Sequence, residues 1–240
     1  MATNNVLQHL TLPAASKHTA TVIFVHGLGD TGHGGEPLVA MFRSDPQLSH
    51  VKWVLPHSPV RPVKANMGIE MPSWYDIYSF GFNTQEDEQG MLESARSLDQ
   101  LIGREIDCGI DPSRVFLGGF SQGGTMTLLT GLTTERKLGG LIVLSGWLPL
   151  QHRFKEIASR YASTVPIFWA QGREDPLVLP KHSAECVDFL KTQLGASLAP
   201  SQTEPTGVAH KIYGGLGHGV SEEELADLKV WLKRAIPATK

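Results

Sequence analysis

The chain has 240 residues, a formal net charge of −3, 41% hydrophobic residues and 19% charged residues. This composition is typical of one globular domain, spanning residues 1–240, with enough apolar surface to fold without disulfides or metals. It contains no basic run that could neutralise phosphates, so nucleic acid is excluded as an expected partner.

Two further features bear on where the protein works. The first thirty residues lack the basic, apolar and small-residue order of a signal peptide, and no apolar run reaches the roughly 20 residues of a membrane span. The two cysteines, Cys108 and Cys186, are therefore expected to be free thiols in a reducing compartment. We expect a location in the cytoplasm, with the nucleus as an additional location. We expect only transient contact with membrane surfaces.

Apolar runs that suit buried strands alternate along the chain with segments of helical period. The predicted strands are Val6–Leu12, Thr21–Val25, Lys52–Pro56, Val115–Leu117, Gly140–Ser145, Val165–Ala170 and Val208–Tyr213. The predicted helices are Glu86–Asp107, a run from Thr125, Ala184–Leu194 and a last helix opened by the capping box Ser221–Glu224. This alternation predicts an α/β fold with a mostly parallel central sheet and helices on both faces.

The segment from residue 57 to residue 90 shows no clear period, and it contains the aromatic cluster Met71–Tyr78. Long irregular segments inside a compact domain are usually functional. It would follow the carboxyl end of a strand, where ligands bind in open α/β sheets. We expect it to form a wall of the substrate cleft, the alternative being that its aromatic side chains pack in the core.

A G-x-S-x-G pattern, Gly119-Phe-Ser-Gln-Gly123, lies between the strand Val115–Leu117 and the helical run from Thr125. This strand-turn-helix context is the one in which the pattern forms a nucleophile elbow. The backbone of the serine is strained there, and the two flanking positions must carry almost no side chain so that strand and helix can approach. Ser121 is therefore the predicted nucleophile, and a tight glycine turn is the alternative.

The glycine-rich loop His26–Gly35 follows the first buried strand. Its backbone amides could bind phosphate, but the loop has neither the G-x-x-x-x-G-K-[ST] nor the G-x-G-x-x-G pattern. We favour an oxyanion loop of the H-G-x-G kind, in which the backbone N–H groups of Leu28 and Gln122 stabilise a tetrahedral anion.

A serine hydroxyl needs a neighbouring base, and hydrolases built on the elbow place an acid and then a histidine after the serine, on loops that follow strands. His218 lies directly after the strand Val208–Tyr213 and is the predicted base. His182 lies too close to Asp175 along the chain to act independently of it, and His210 falls inside a strand.

The acid is expected in the loop after the strand that ends at Ala170. Asp175 is the favoured candidate, while the adjacent Glu174 is not excluded by spacing. The carboxylate would fix the tautomer of the histidine and stabilise its protonated form. The histidines show no H-E-x-x-H or paired Cys/His spacing, so no metal is predicted.

Several segments together resemble the acyl-protein thioesterase and lysophospholipase family of carboxylesterases, over about residues 21–231. They are His26-Gly-Leu-Gly-Asp-Thr-Gly-His33, Pro59-Val-Arg-Pro-Val63, Met71-Pro-Ser-Trp-Tyr-Asp76, Gly118-Gly-Phe-Ser-Gln-Gly-Gly124, Leu144-Ser-Gly-Trp-Leu-Pro149 and Asp175-Pro-Leu-Val178. The resemblance implies an α/β-hydrolase fold with a minimal lid, a triad of Ser121, Asp175 and His218, and no cofactor. It also implies removal of long acyl chains from protein cysteines or lysophospholipids. The lipidated N-terminal cysteine of some relatives has no counterpart in the opening Met-Ala-Thr-Asn.

Acyl-chain preference must come from apolar surface, and Leu28, Trp74 and Leu177 are the residues expected to line it. Two other interpretations compete with the acyl hydrolase: a peptidase of related fold and a ligand receptor that has lost turnover. A third interpretation, closer in chemistry to the acyl hydrolase, is a general carboxylesterase or lysophospholipase that acts on small esters or lipids and not on proteins. Exposed apolar residues around the cleft would also suit a weak homodimer.

Overall fold

The structure is a computed structural model that describes residues 7–79 and 85–238. Its strands alternate with helices as the sequence predicted. The strands are β1 (His9–Leu12), β2 (Ala20–Val25), β3 (Val51–Pro56), β4 (Val60–Val63), β5 (Ile69–Pro72), β6 (Val115–Phe120), β7 (Gly140–Leu144), β8 (Ile167–Gly172) and β9 (Val208–Tyr213). The helices are α1 (Glu36–Arg43), α2 (Glu88–Asp107), α3 (Gln122–Thr133), α4 (Phe154–Ile157), α5 (Pro180–Leu194) and α6 (Glu222–Ala235).

Seven strands form one sheet in the order β1-β3-β2-β6-β7-β8-β9. β1 runs antiparallel to β3, and the other neighbouring pairs are parallel. The mostly parallel sheet is thus confirmed. The strand order reverses between β2 and β6, so the loops that leave the carboxyl ends of these neighbours diverge and open a crevice there.

Helices cover both faces of the sheet, because the strand side chains alternate between two buried layers. In β2, Ile23 and Val25 face the layer that contains α2, α3 and α5, whereas Val22 and Phe24 face the layer of α1 and α6. Strands buried on both faces read as continuous apolar runs, which is why they were visible in the sequence. Among the described residues, no helix is long and apolar enough to cross a membrane.

The segment after β3 is more regular than the sequence predicted. β4 and β5 form an antiparallel hairpin, and its turn contains Met67 at φ 55° and Gly68 at φ 73°. Pro62 and Pro72 lie within these strands. Proline cannot donate to a strand ladder and suits only edge strands, so it concealed the hairpin. Residues 80–84 of this segment lie outside the described residues.

Helix boundaries differ from the expected ones where capping decides them. α2 begins at Glu88 because the side chain of Asp87 accepts a hydrogen bond from the N–H of Gly90 and so ends the preceding segment as an N-cap. α5 begins at Pro180, a residue suited to the first helical turn. α1, which the sequence analysis did not predict, follows the glycine-rich loop directly.

We predict that Gly119 cannot carry a side chain. A Cβ atom there would overlap the backbone of Gly123 and lie 2.7 Å from the carbonyl oxygen of Val25. Gly119→Ala should therefore lower the free energy of unfolding, measured in urea, by about 3 kcal/mol. The matched control is Gly103→Ala in α2, where the nearest atom is the flexible Nη2 of Arg136 at 3.2 Å; it should change stability by no more than about 1 kcal/mol. Equal stabilities of the two variants would contradict this packing.

Glu224 should make the free energy of unfolding depend on pH. Its side chain is completely buried and closes the capping box by accepting from the N–H of Ser221. Burial raises the pKa of Glu224 from 4.5 to about 7, so the folded state holds a proton that the unfolded state releases between these values. This contribution to stability is full below pH 4.5 and is lost as the pH rises towards 7.

Glu224→Gln removes this titration and keeps an oxygen acceptor for Ser221. Between pH 5 and pH 8, the unfolding free energy of the variant should therefore improve relative to wild type by about 2 kcal/mol, at about 1.4 kcal/mol per pKa unit. Urea unfolding of both proteins at the two pH values measures this difference. A stability difference that does not depend on pH would show that Glu224 is ionised in the fold.

Candidate active site

Ser121 occupies the sharp turn between β6 and α3, with φ 53° and ψ −118°. This is a backbone conformation that L-residues rarely adopt, and it persists because the surroundings fix it. The N–H of Ser121 donates to the carbonyl of Leu144 in the neighbouring strand at 2.8 Å, and its carbonyl accepts from the N–H of Thr125 at 3.0 Å. The strained turn predicted from the sequence is therefore present, and Ser121 lines a cavity of about 950 Å³.

His218 lies in the loop after β9 and reaches the serine. Its Nε2 is 2.8 Å from the Oγ of Ser121, and its Nδ1 is 2.8 Å from the Oδ2 of Asp175. Because a carboxylate only accepts, Nδ1 carries the hydrogen and Nε2 is left to accept from the serine hydroxyl. The ring of Phe120 packs at 5.0 Å between centroids and restricts the orientation of the imidazole.

Asp175 is held in place by four hydrogen bonds. Its side chain is fully buried; Oδ1 accepts from the N–H groups of Leu177 and Val178 at 2.8 and 2.9 Å. Oδ2 accepts from the Nε2 of Gln171 at 2.9 Å, beside its contact with His218. A buried carboxylate needs such partners, since an unpaired one would be too costly to bury.

The structure resolves the choice between the two candidate acids. Glu174 is exposed, whereas Asp175 is the carboxylate that contacts His218. The sequence analysis missed Gln171, whose amide also donates to the carbonyl of Val178 at 2.7 Å and so closes the acid loop. Gln171 lies near the end of the buried strand β8, four residues before Asp175. The sequence shows this spacing, but only the folded loop shows that the amide reaches the carboxylate.

The other downstream histidines have different roles. His210 lies in β9 with its Nε2 3.0 Å from the Oγ of Ser183, and burial lowers its pKa to about 4. His182 lies in the first turn of α5, and its Nδ1 is 3.2 Å from the Oε2 of Glu185. Neither contacts Ser121, as the sequence analysis expected.

The backbone N–H groups of Leu28 and Gln122 lie beside the serine. A Cβ atom on Gly27 would be 3.4 Å from the Cβ of Ser121, which places the loop after β2 against the nucleophile. Gln122 is the first residue of α3, where backbone N–H groups have no partner within the helix. The N–H of Leu28 likewise meets no acceptor among the described residues. Both residues line the cavity at Ser121.

A cavity of about 950 Å³ opens at Ser121, and its wall combines apolar side chains with charged and polar ones. Leu28 and Leu177 line it as expected; Leu177 is 56% exposed. Sequence analysis missed several other lining residues, which the fold brings from distant positions. They include Met91, Trp147, Leu148 and Cys186. The last is buried, and its pKa is raised to about 11 by burial, so its thiol stays protonated and nonpolar in character.

The expectation that Trp74 lines the substrate surface is wrong. Trp74 is fully buried and is absent from the cavity wall among the described residues. Its indole N–H donates to the carbonyl of His26 at 2.9 Å, which draws the ring inwards. The neighbouring Tyr75, Ile77 and Tyr78 do line the cavity, so the aromatic cluster serves both the core and the cleft.

The described residues contain no group of three or more histidine, cysteine or acidic side chains that could hold a metal ion. Cys108 is exposed and Cys186 is buried, and neither forms a disulfide in the described parts of the chain.

Comparisons with known proteins show the family of the chain. The model of the phospholipase/carboxylesterase family matches residues 9–236. A Cryptococcus neoformans protein named acyl-protein thioesterase 1 is 44% identical over 235 residues, covering 96% of this chain and 98% of the relative. A Gibberella zeae protein of the same name is 42% identical over 235 residues, covering 95% of each.

Solved structures show the same fold. Arabidopsis thaliana SOBER1 superposes with a TM-score of 0.82 at 34% identity, over 91% of this chain and 99% of that one. Zea mays acyl-protein thioesterase 2 gives a TM-score of 0.82 at 28% identity, over 95% and 99% of the two chains. With its fold, its elbow and its family match in agreement, the chain belongs to the phospholipase/carboxylesterase family of α/β hydrolases.

Proposed function

We propose that the protein is a serine hydrolase that removes long acyl chains from S-acylated protein cysteines, with carboxylesterase and lysophospholipase activity at the same site. The observation that carries the proposal is the continuous contact from Asp175 through His218 to Ser121, with 2.8 Å at each step. A serine hydroxyl becomes a useful nucleophile only when such a base accepts its proton.

In the acylation step, the Oγ of Ser121 attacks the substrate carbonyl while the Nε2 of His218 takes the hydroxyl proton. The tetrahedral intermediate collapses, the bond from the acyl carbon to the leaving sulfur or oxygen breaks, and His218 gives its proton to the leaving group. Asp175 stabilises the imidazolium formed in between. The product of this step is an ester between the acyl chain and Ser121.

Deacylation repeats the sequence with water. His218 takes a proton from water as the water attacks the acyl-enzyme, and returns it to the Oγ of Ser121 as the fatty acid leaves. In both steps negative charge develops on the carbonyl oxygen, where the N–H groups of Leu28 and Gln122 would donate. Loss of one such donor typically slows turnover by about 10²–10³.

The substrate class is supported by the cavity and by the relatives. The cavity of about 950 Å³ offers an alkyl chain the apolar side chains of Met91, Trp147 and Leu148, and burying each methylene group contributes about 0.8 kcal/mol. The relatives named acyl-protein thioesterase 1 at 42–44% identity favour the thioester of a protein cysteine as the natural bond. The family description, which joins phospholipase and carboxylesterase, supports lysophospholipids and small esters as the second candidates.

The proposal includes transient contact with a membrane surface, because the acyl chains of such substrates reside there. Leu177 and Leu179 present apolar side chains at the rim of the cavity, 56% and 37% exposed. Apolar rim residues of this kind can shield an alkyl chain on its way from bilayer to cavity.

Substitutions in the triad give the first test. Ser121→Ala and His218→Ala should each lower kcat on a long-chain thioester by about 10⁶-fold, because serine and base act as a unit. Asp175→Asn should lower kcat by about 10⁴-fold, because an amide at this position favours the tautomer of His218 that cannot accept the serine proton. The matched control is Glu174→Gln, which alters the exposed neighbouring acid and should leave kcat unchanged. A larger loss with Glu174→Gln than with Asp175→Asn would reverse the assignment.

Covalent labelling of the serine distinguishes a hydrolase from a ligand receptor that has the same fold but does not turn over substrate. A long-chain fluorophosphonate should label Ser121 in wild type and fail to label His218→Ala, as followed by intact-protein mass spectrometry. A wild-type protein that stays unlabelled would favour the receptor. Cleavage of an amide-linked peptide at a rate similar to that of the thioester would favour the peptidase.

Direct comparison of substrates decides between the candidate bonds. An S-palmitoylated peptide and palmitoyl-lysophosphatidylcholine would be offered side by side to wild type and Ser121→Ala. We expect faster hydrolysis of the peptide, lost in the variant. Preferred hydrolysis of the lysophospholipid, or of short aryl esters alone, would move the proposed function to lipid or small-ester metabolism.

Shortening Leu177 should weaken the preference for long chains. Leu177→Ala removes apolar rim surface but keeps the backbone N–H that binds Asp175, so kcat/KM should fall several-fold more for a C16 ester than for a C4 ester. The matched control is Leu198→Ala, a residue of similar exposure at 53% that lies outside the cavity wall. An unchanged chain-length ratio in Leu177→Ala would remove Leu177 from the acyl-binding surface.

A further inference from the structure

The peptide group that carries the N–H of Leu28 also carries the carbonyl of Gly27. A peptide group is planar and, in its trans form, points its C=O and N–H in opposite directions. Whatever holds the carbonyl of Gly27 therefore also aims the N–H of Leu28. In the structure that carbonyl lies 2.7 Å from the Nδ1 of His26, and it also accepts a longer hydrogen bond from the N–H of Asp30 at 3.4 Å.

The contacts of His26 define its tautomer. A carbonyl oxygen only accepts, so Nδ1 must carry the hydrogen that binds Gly27. The N–H of Ser58 donates to Nε2 at 3.1 Å, so Nε2 must keep its lone pair. Both contacts are satisfied only by a neutral ring with its hydrogen on Nδ1.

The surroundings keep this ring neutral. His26 is 4% exposed, and burial lowers its pKa below the ordinary value. The charged and titratable neighbours that face it are Asp30, which favours the protonated ring, and His57, which opposes it. Protonation at Nε2 would turn its hydrogen towards the N–H of Ser58, with no acceptor between them.

The backbone of His26 is anchored as firmly as its ring. Its carbonyl accepts from the indole N–H of Trp74 at 2.9 Å. The backbone N–H of Trp74 in turn donates to the Oε1 of Gln122 at 2.9 Å, and the Nε2 of Gln122 donates to the carbonyl of Tyr75 at 2.9 Å. A chain of hydrogen bonds thus links the Leu28 peptide to the residue that supplies the second oxyanion donor.

We propose that His26 is a positioning residue of the oxyanion hole, whose neutral Nδ1–H ring holds the Gly27 carbonyl and so aims the Leu28 N–H at the oxyanion. His26 does not act on the substrate itself, because it is not among the residues that line the cavity within the described chain. The inference rests on the proposed function, in which that oxyanion forms on the carbonyl attacked by Ser121.

Two substitutions of His26 separate its two nitrogens. The amide nitrogen of asparagine occupies nearly the position of Nδ1, whereas the amide of glutamine reaches the position of Nε2. His26→Asn therefore keeps a donor for Gly27 and loses the contact with Ser58, and His26→Gln does the reverse. We expect His26→Gln to lower kcat about 10–100-fold with KM within about threefold, and His26→Asn to retain kcat within about fivefold.

A transition-state analogue adds a readout specific to the oxyanion. A long-chain trifluoromethyl ketone forms a tetrahedral oxyanion with Ser121, so its affinity should fall in His26→Gln by the same factor as kcat. The affinity of hexadecanol, which has the same chain length and no anionic oxygen, should stay within about threefold. The control is His33→Gln, an exposed histidine further along the same loop, which should leave both affinities and kcat unchanged.

Equal losses in His26→Asn and His26→Gln, or a loss of hexadecanol and ketone affinity together, would reduce His26 to a general packing role and overturn the proposal. Nitrogen chemical shifts of the His26 ring in the wild-type protein test it without any substitution. A hydrogen on Nδ1 is expected, and a hydrogen on Nε2 would overturn it. If wild type hydrolysed no long-chain substrate, the proposed function would fail, while the ring tautomer would still decide the inference.

Discussion

The close approach of β6 and α3 at Ser121 is the constraint on which the site depends. With glycine at positions 119 and 123, the first turn of α3 packs directly against the ends of β6 and β2, and the serine between them adopts φ 53°. The carbonyl of Val25 borders this contact, so the loop that leaves β2 starts beside the nucleophile. One steric requirement thus presents the hydroxyl, opens the N-terminus of α3 towards it and brings the second donor loop into reach.

The polar part of the site is stable in a buried position because its groups are satisfied. Asp175 has a hydrogen-bond partner for each oxygen besides His218, from the backbone of its own loop and from Gln171. His26, Trp74 and Gln122 form a comparable network on the other side of the serine. Each network fixes a reacting or donating group before substrate arrives, which is the condition for electrostatic stabilisation without reorganisation. Acid and oxyanion donors are therefore supported independently.

The cavity joins this polar centre to an apolar space assembled from four separate parts of the chain: the loop after β2, the segment before α2, the loop after β7 and the segment leading into α5. Wall residues such as Met91 and Trp147 lie on segments that carry neither Ser121, Asp175 nor His218, so they can vary without disturbing those three side chains. The large apolar ring of Trp74 predicted a place in the cavity wall. The ring is buried instead, because its N–H group donates to the carbonyl of His26 inside the protein.

The sequence by itself determined the α/β class, and it indicated Ser121, His218 and the loop His26–Gly35 as the candidate site, because buried strands and the elbow are specified by local residue types. It left Asp175 and Glu174 open, since adjacent residues point to opposite sides and only the folded loop decides which one faces His218. It also missed the β4–β5 hairpin, whose prolines conceal the strand pattern. The burial of Trp74, the support from Gln171 and the tautomer of His26 were decided by tertiary structure alone, because each depends on acceptors or donors distant in the chain or on the conformation of a loop.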